Sequence, residues 1–324
     1  MKKDLIIIIY KSIILFLIIL ILLSISNYFY EKYIIENTFT FRKEKDFQEY
    51  KNGLKHKKID YLFLGSSHVL NGINPEYIPN SYNFGNSGNS SIEEYYILKK
   101  ILDEEMMEIK NVVIEIDPHM FWERFEDGKY LFRDFWYFSQ FSDINELTNI
   151  NNDSYAKLLI KKHFPVIGDS IKFGILINKP VLSELYLGWQ KKTPVYKKKE
   201  YDVESEAIKK IKQKAIKGKG VSERRLDYFL KMLKLAKDNN IKVTLVKYPH
   251  HEFYNRAIME TNLNLNSYYS KLFKEVNLVL SEDKYIILDY FDLFFDHGEY
   301  FNDFEHLNYD GAEYFSKHIY ENIR

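Results

Sequence analysis

Apolar positions fall into three regimes along the chain. From Leu5 to Ile25, "LIIIIYKSIILFLIILILLSI", nearly every position is apolar, with Lys11 the main charged interruption. That length matches the roughly 20 residues a helix needs to cross a bilayer. Residues 27–58 are polar with scattered aromatics, the pattern of a stalk or juxtamembrane helix. Beyond them four short β-branched runs appear: "IDYLFLG" (59–65), "NVVIEID" (111–117), "IKVTLVKYP" (241–249) and "KYIILDY" (284–290). Each predicts a mostly buried strand. Helical periodicity lies between them. Ser91 and Glu94 have capping-box spacing before "YYILKKILDEE", and Ser222 precedes "ERRLDYFLKMLKLAKDNN", in which Leu226, Phe229, Leu230 and Leu233 share one face. Strands alternating with helices predict an α/β fold, a doubly wound and mainly parallel sheet in three layers of the flavodoxin-like kind.

The apolar segment reads as an uncleaved anchor over residues 1–26, because "LSISNYFYEKY" offers bulky and aromatic residues where a signal peptide would show a small-x-small cleavage site. Lys2 and Lys3 favour a cytoplasmic N-terminus; Lys32, Arg42, Lys43 and Lys45 oppose it. The expectation is a single-pass protein of the cell membrane, N-terminus cytoplasmic, with the α/β domain of residues 59–324 outside. Residues 120–220 interrupt the alternation and are expected to be a partly helical insertion over the sheet's active edge. Its lysine-rich stretch, "WQKKTPVYKKKEYDVESEAIKKIKQKAIKGKG", is read as a solvated face.

Charge and cysteine content narrow the classes. Basic and acidic residues balance at 46 each, so no global field points to nucleic acid. With no cysteine, thiol nucleophiles, thiolate metal sites and disulfides are excluded.

The candidate chemistry begins at "FLGSSHVLNG" (63–72), where a buried strand runs straight into Gly65, Ser66, Ser67 and His68. In doubly wound sheets, reactive groups gather at the carboxyl ends of strands. A serine hydroxyl needs a base to take its proton and a third group to orient that base. "YFNDFEHLNYDGAEYFSKHI" supplies the best pair, with Asp303 orienting His306 and His306 facing Ser67. "SYNFGNSGNSSIEE" (81–94) places Gly88 and other small residues before a helix, where backbone N–H groups can meet a developing oxyanion. His68 is read as a pocket wall or hydrogen-bond partner rather than the base. Asp117, His119, His250 and His251 match no compact ligand spacing, so no metal and no other cofactor is expected.

Together these blocks resemble the SGNH, or GDSL-type, hydrolase superfamily. "GSS" stands for the Gly-Asp-Ser block, with Ser67 as nucleophile and Ser66 where Asp is usual; "NFGNSG" matches the second block through Gly88; "DFEH" matches the last through Asp303 and His306. The third block, usually Gly-x-Asn-Asp, appears as "IEIDPHM" without its Asn, and His119 falls close to that place as an oxyanion donor. These departures and the anchor resemble the branch containing the teichoic-acid D-alanyl transfer protein and the alginate O-acetyltransferase-like proteins. That resemblance implies a membrane-anchored serine acyltransferase or esterase acting on an O-acyl group of an envelope polysaccharide or polymer, beside a multi-pass acyl-exporting protein. The alternative is a non-catalytic binding or assembly component of such a system.

Overall fold

The computed structural model describes residues 2–54, 58–103, 107–121, 131, 134–151, 153–168, 185–190, 200–217, 221–260 and 264–324. The chain divides into two compact units, one of residues 1–42 with 132–182 and one of residues 43–131 with 183–324.

The first unit is built on α1 (Lys2–Tyr33), which is long and apolar enough to cross a membrane and buries none of its most apolar window within the protein. At its carboxyl end Tyr30, Ile34 and Ile35 bury against Phe41, Trp136 and Val166, and Thr40 Oγ1 donates to Asp134 Oδ2 at 2.7 Å. Short helices follow at Phe135–Ser139, Ile144–Asn151, Tyr155–His163 and Pro165–Gly168. Much of the insertion expected at 120–220 falls outside the described residues.

The second unit holds a parallel sheet of β1 (Lys58–Leu64), β2 (Ser81–Asn83), β3 (Glu108–Glu115), β4 (Lys242–Lys247) and β5 (Tyr285–Asp289), in the order β2-β1-β3-β4-β5. Four of these are the apolar runs of the sequence. β2 was not expected, since "SYN" is three residues long and carries no apolar run. Side chains alternate across the sheet; both faces are buried over β2, β1, β3 and β4, whereas the edge strand β5 is largely open, with Ile287 exposed. Tyr61, Phe63, Val113 and Val246 face a core with Val69, Ile73, Phe315, Ile319 and Ile323. The alternate set, Leu62, Leu64, Val112, Ile114, Val243 and Leu245, is equally buried; α4 (Ser91–Asp103) follows β2 in the chain.

Around the sheet run α2 (Phe39–Gly53), α3 (Ser67–Gly72), α4, α5 (Glu200–Lys217), α6 (Glu223–Asp238), α7 (Glu252–Met259), α8 (Leu265–Val279) and α9 (Tyr309–Ile323). Ser222 caps α6 as its sequence predicts, accepting from Arg225 N. At α4 the capping box lies one residue earlier than the sequence reading placed it. Ser90 N and Oγ both donate to Glu93, whereas Ser91 Oγ reaches Arg225 O at 2.6 Å and Glu94 accepts from Asn89. Spacing alone cannot separate these frames, because "SSIEE" satisfies both.

In the order β2-β1-β3, the direction of strand addition reverses at β1, so the topological switch point lies between the carboxyl ends of β1 and β3. Leu64 pairs with Ile114, which sets Gly65–Ser67 beside Glu115–Asp117.

Candidate active site

The turn at the end of β1 is dictated by Gly65. Its φ is 157°, and a Cβ there would lie 2.3 Å from Val69 Cγ2 and 2.5 Å from Glu115 Oε2. Glycine alone lets β1 turn this tightly against β3. Ser66 then caps α3, its Oγ accepting from His68 N. Glu115 grips Ser66 twice, accepting from its N–H at 2.6 Å and from its Oγ at 3.1 Å. On the far side of α3, Asn83 Nδ2 donates to the carbonyls of Val69 and Ile73. Ser67 therefore opens a helix fixed at both ends, and its side chain is only half-buried.

The opposing turn comes from 239 residues further along the chain. Asp303 Oδ1 accepts from the N–H groups of Glu305 and His306, both at 2.8 Å, and Asn302 N–H reaches His306 O at 2.8 Å. Phe304, fully buried among Ala207, Ile211, Tyr254 and Ala257 of α5 and α7, anchors the turn to the unit. The same Asp303 carboxylate lies 2.9 and 2.8 Å from His306 Nδ1 through its two oxygens, and His306 Nε2 lies 2.8 Å from Ser67 Oγ. Burial raises the Asp303 carboxyl, but the imidazole and the two backbone N–H groups outweigh it and hold the group well below the usual carboxylate range. A carboxylate at Nδ1 favours the tautomer whose Nε2 lone pair faces the hydroxyl. Asp303 does not cap the following helix; Asn308 does, accepting from Gly311 N.

Gly88 sits in the loop between β2 and α4 with φ 77°, a left-handed conformation suited to glycine. Asn86 N donates to Gly65 O at 3.0 Å, and Lys43 Nζ donates to Gly85 O, so the loop is tied to the end of β1. Burial pushes the Lys43 amine down to about 7, against the pull of Glu94 and Asp46. His119 follows β3 in the short turn Pro118–Met120. Its Nε2 lies 2.8 Å from Ser66 Oγ and 3.1 Å from Glu115 Oε1, so this nitrogen is engaged with the residue before Ser67.

Behind these groups lies a buried cluster that sequence reasoning missed as a unit. His68 Nδ1 is 2.8 Å from Asp117 Oδ2 and 3.0 Å from Glu115 Oε1, and Tyr248 N donates to Asp117 Oδ1. Burial pulls the His68 imidazole down, yet Glu115 and Asp117 more than offset it and hold it up at about 10. Burial raises both carboxyls in turn. His119 and His68 overcome it at Glu115, and His250 and His68 at Asp117, so both stay below their ordinary values. His119 itself is pushed down to about 4, chiefly by burial. The signal available in the sequence was Glu115, an acid directly after the apolar run Val112–Ile114 at the end of β3. His68, Glu115, Asp117 and His119 are the described residues with the donor set to hold a metal ion. His251 is not among them; its Nδ1 caps α7 by accepting from Phe253 N.

A protein-family model matches residues 198–324, the stretch that carries Asp303 and His306 but not Ser67. No curated protein matches the chain in sequence. Among solved structures, a candidate platelet activating factor protein from Streptococcus pneumonia is 13% identical over 93% of this chain and 99% of its own, with a TM-score of 0.40. A candidate acylhydrolase from Bacteroides fragilis is 12% identical over 86% of this chain and 94% of its own, with a TM-score of 0.41.

Proposed function

We propose that this chain is a membrane-anchored serine acyltransferase or esterase that acts on an O-acyl group of a cell-envelope polysaccharide or other polymer. The observation that carries the reading is the 2.8 Å contact of Ser67 Oγ with His306 Nε2, while the opposite ring nitrogen rests on Asp303. His306 takes the hydroxyl proton as Ser67 Oγ bonds to the acyl carbon, and the backbone N–H groups of Ser67 and Gly88 receive the oxyanion. Collapse breaks the carbon–oxygen bond to the leaving alcohol, which departs with the proton from His306 and leaves an acyl-Ser67 ester. A second hydroxyl repeats the sequence in reverse. If it belongs to a polymer the result is transfer; if it is water, hydrolysis. His119, engaged with Ser66, braces the nucleophile's neighbour in this scheme. The apolar length of α1 supports anchoring, with the α/β domain outside the cytoplasm next to a multi-pass exporter of acyl groups.

A serine-directed fluorophosphonate should label the intact protein and spare a Ser67→Ala variant of unchanged unfolding temperature. Equal labelling of the two sinks the reading. In cells, Ser67→Ala at normal protein level should abolish acylation of the envelope polymer.

A further inference from the structure

Five side chains delivered by the ends of β1, β3 and β4 meet in the interior beneath Ser67, and the acyl chemistry uses none of them on substrate. We propose that His68, Glu115, Asp117 and His119 bind one divalent transition-metal ion, zinc by its donor set, with His250 as a fifth ligand. One donor atom from each of His68, Glu115, Asp117 and His119 lies within 4.8 Å of the other three. Neighbouring pairs among them are 2.8, 3.0 and 3.1 Å apart. Zinc with bonds of about 2.0–2.1 Å has donor–donor edges of about 3.3 Å when tetrahedral and about 2.9 Å between adjacent ligands when five-coordinate, so the close pairs need to move little to close on an ion. Two imidazoles with two carboxylates favour zinc over magnesium or calcium, which prefer all-oxygen shells.

Protons serve the same atoms poorly. His68 Nδ1 carries at most one hydrogen yet faces two carboxylate oxygens, and His119 Nε2 carries at most one yet faces Ser66 Oγ and Glu115 Oε1. His250 is an independent sign. It is fully buried with neither ring nitrogen hydrogen-bonded, and its Nε2 nevertheless stands 3.3 Å from Asp117 Oδ2. A buried imidazole left unsatisfied is costly, and a metal at this place gives its nitrogen a partner. Binding displaces the proton shared between His68 and the carboxylates. The ion then ties β1 to β3 directly behind Ser66, so its role is to stiffen the turn that presents Ser67.

The test uses the full-length protein, purified in detergent from zinc-supplemented medium and dialysed, with metal content read by mass spectrometry. About one zinc per chain is expected, with a fall in unfolding temperature on chelation that added zinc reverses. Asp117→Asn and His250→Ala should each lower occupancy roughly tenfold or more. Wild-type protein with below about a tenth of a zinc per chain, and no rise in unfolding temperature on adding zinc, overturns the proposal; so does full zinc content in both variants. Metal content is read without reference to Ser67 reactivity, so this result stands apart from that of the labelling experiment.

Discussion

Replacing Asp303 by Asn isolates the contribution of the orienting carboxylate. Asn can keep a carbonyl oxygen at the Oδ1 position, where Asp303 accepts from the N–H groups of Glu305 and His306 at 2.8 Å, so the turn itself survives. At the Oδ2 position, 2.8 Å from His306 Nδ1, the variant presents an amide N–H instead of a lone pair. His306 Nδ1–H keeps the oxygen at the Oδ1 position, 2.9 Å away, as its acceptor but meets an amide N–H in place of Oδ2, so the tautomer that aims N–H at Ser67 becomes competitive. The variant also loses the negative charge that stabilises the imidazolium formed when Ser67 gives up its proton. Charges about 4 Å apart at an effective dielectric of about 20 interact by about 4 kcal/mol, or about 10³ in rate. The tautomer shift adds to this, and orienting acids of serine triads elsewhere contribute about 10⁴. The assay is the second-order rate of fluorophosphonate labelling, which needs no knowledge of the natural substrate. We expect a fall of at least about 10³ at a temperature where both proteins remain fully folded. Labelling within about threefold of wild type would refute the view that Asp303 acts on the chemistry through His306.

The same residue gives a pH signature. Its folded carboxyl lies below the ordinary value of 3.8, so its stabilisation is fully present above that pH and is lost as pH falls toward the folded value. The gap in unfolding temperature between wild type and Asp303→Asn should therefore narrow below pH 3.8; a gap that widens there contradicts the assignment. Gly65→Ala forces its new methyl into Val69 and Glu115, and should destabilise the protein by about 1–3 kcal/mol and suppress labelling, as denaturant titration and the labelling rate can check. Phe304→Ala should cost about 3–5 kcal/mol and slow labelling as well, because the emptied space loosens the turn that carries Asp303 and His306; normal labelling by a measurably destabilised variant would separate that side chain from the site.

Much of the architecture was legible because short β-branched runs bounded by turn signals favour mostly buried strands, and "IDYLFLG", "NVVIEID", "IKVTLVKYP" and "KYIILDY" all have that character, although the last forms an edge strand with Ile287 exposed. β2 was not, since Ser81–Asn83 is held by its pairing with β1 and by Tyr82 against Phe47 and Phe84 rather than by any pattern of its own. The approach of Ser67, Asp303 and His306 could be anticipated from the order of their blocks and their places after strands. The grip of Glu115 on Ser66 could not. It depends on the register of β1 against β3, a relation between residues 49 positions apart that no local spacing encodes. The meeting of His68, Asp117 and His250 is of the same kind, created by three strands ending at one level.

Because the hydrogen bond between Ser67 and His306 closes a loop of 239 residues, a ribosome presents the hydroxyl long before it makes the base. Under the proposed function, the Ser67 hydroxyl stays an ordinary alcohol until the 300s segment folds back beside β1, so reactivity would require complete tertiary structure. A protease cut that frees the Asp303–His306 turn would return the molecule to that silent condition without touching the serine.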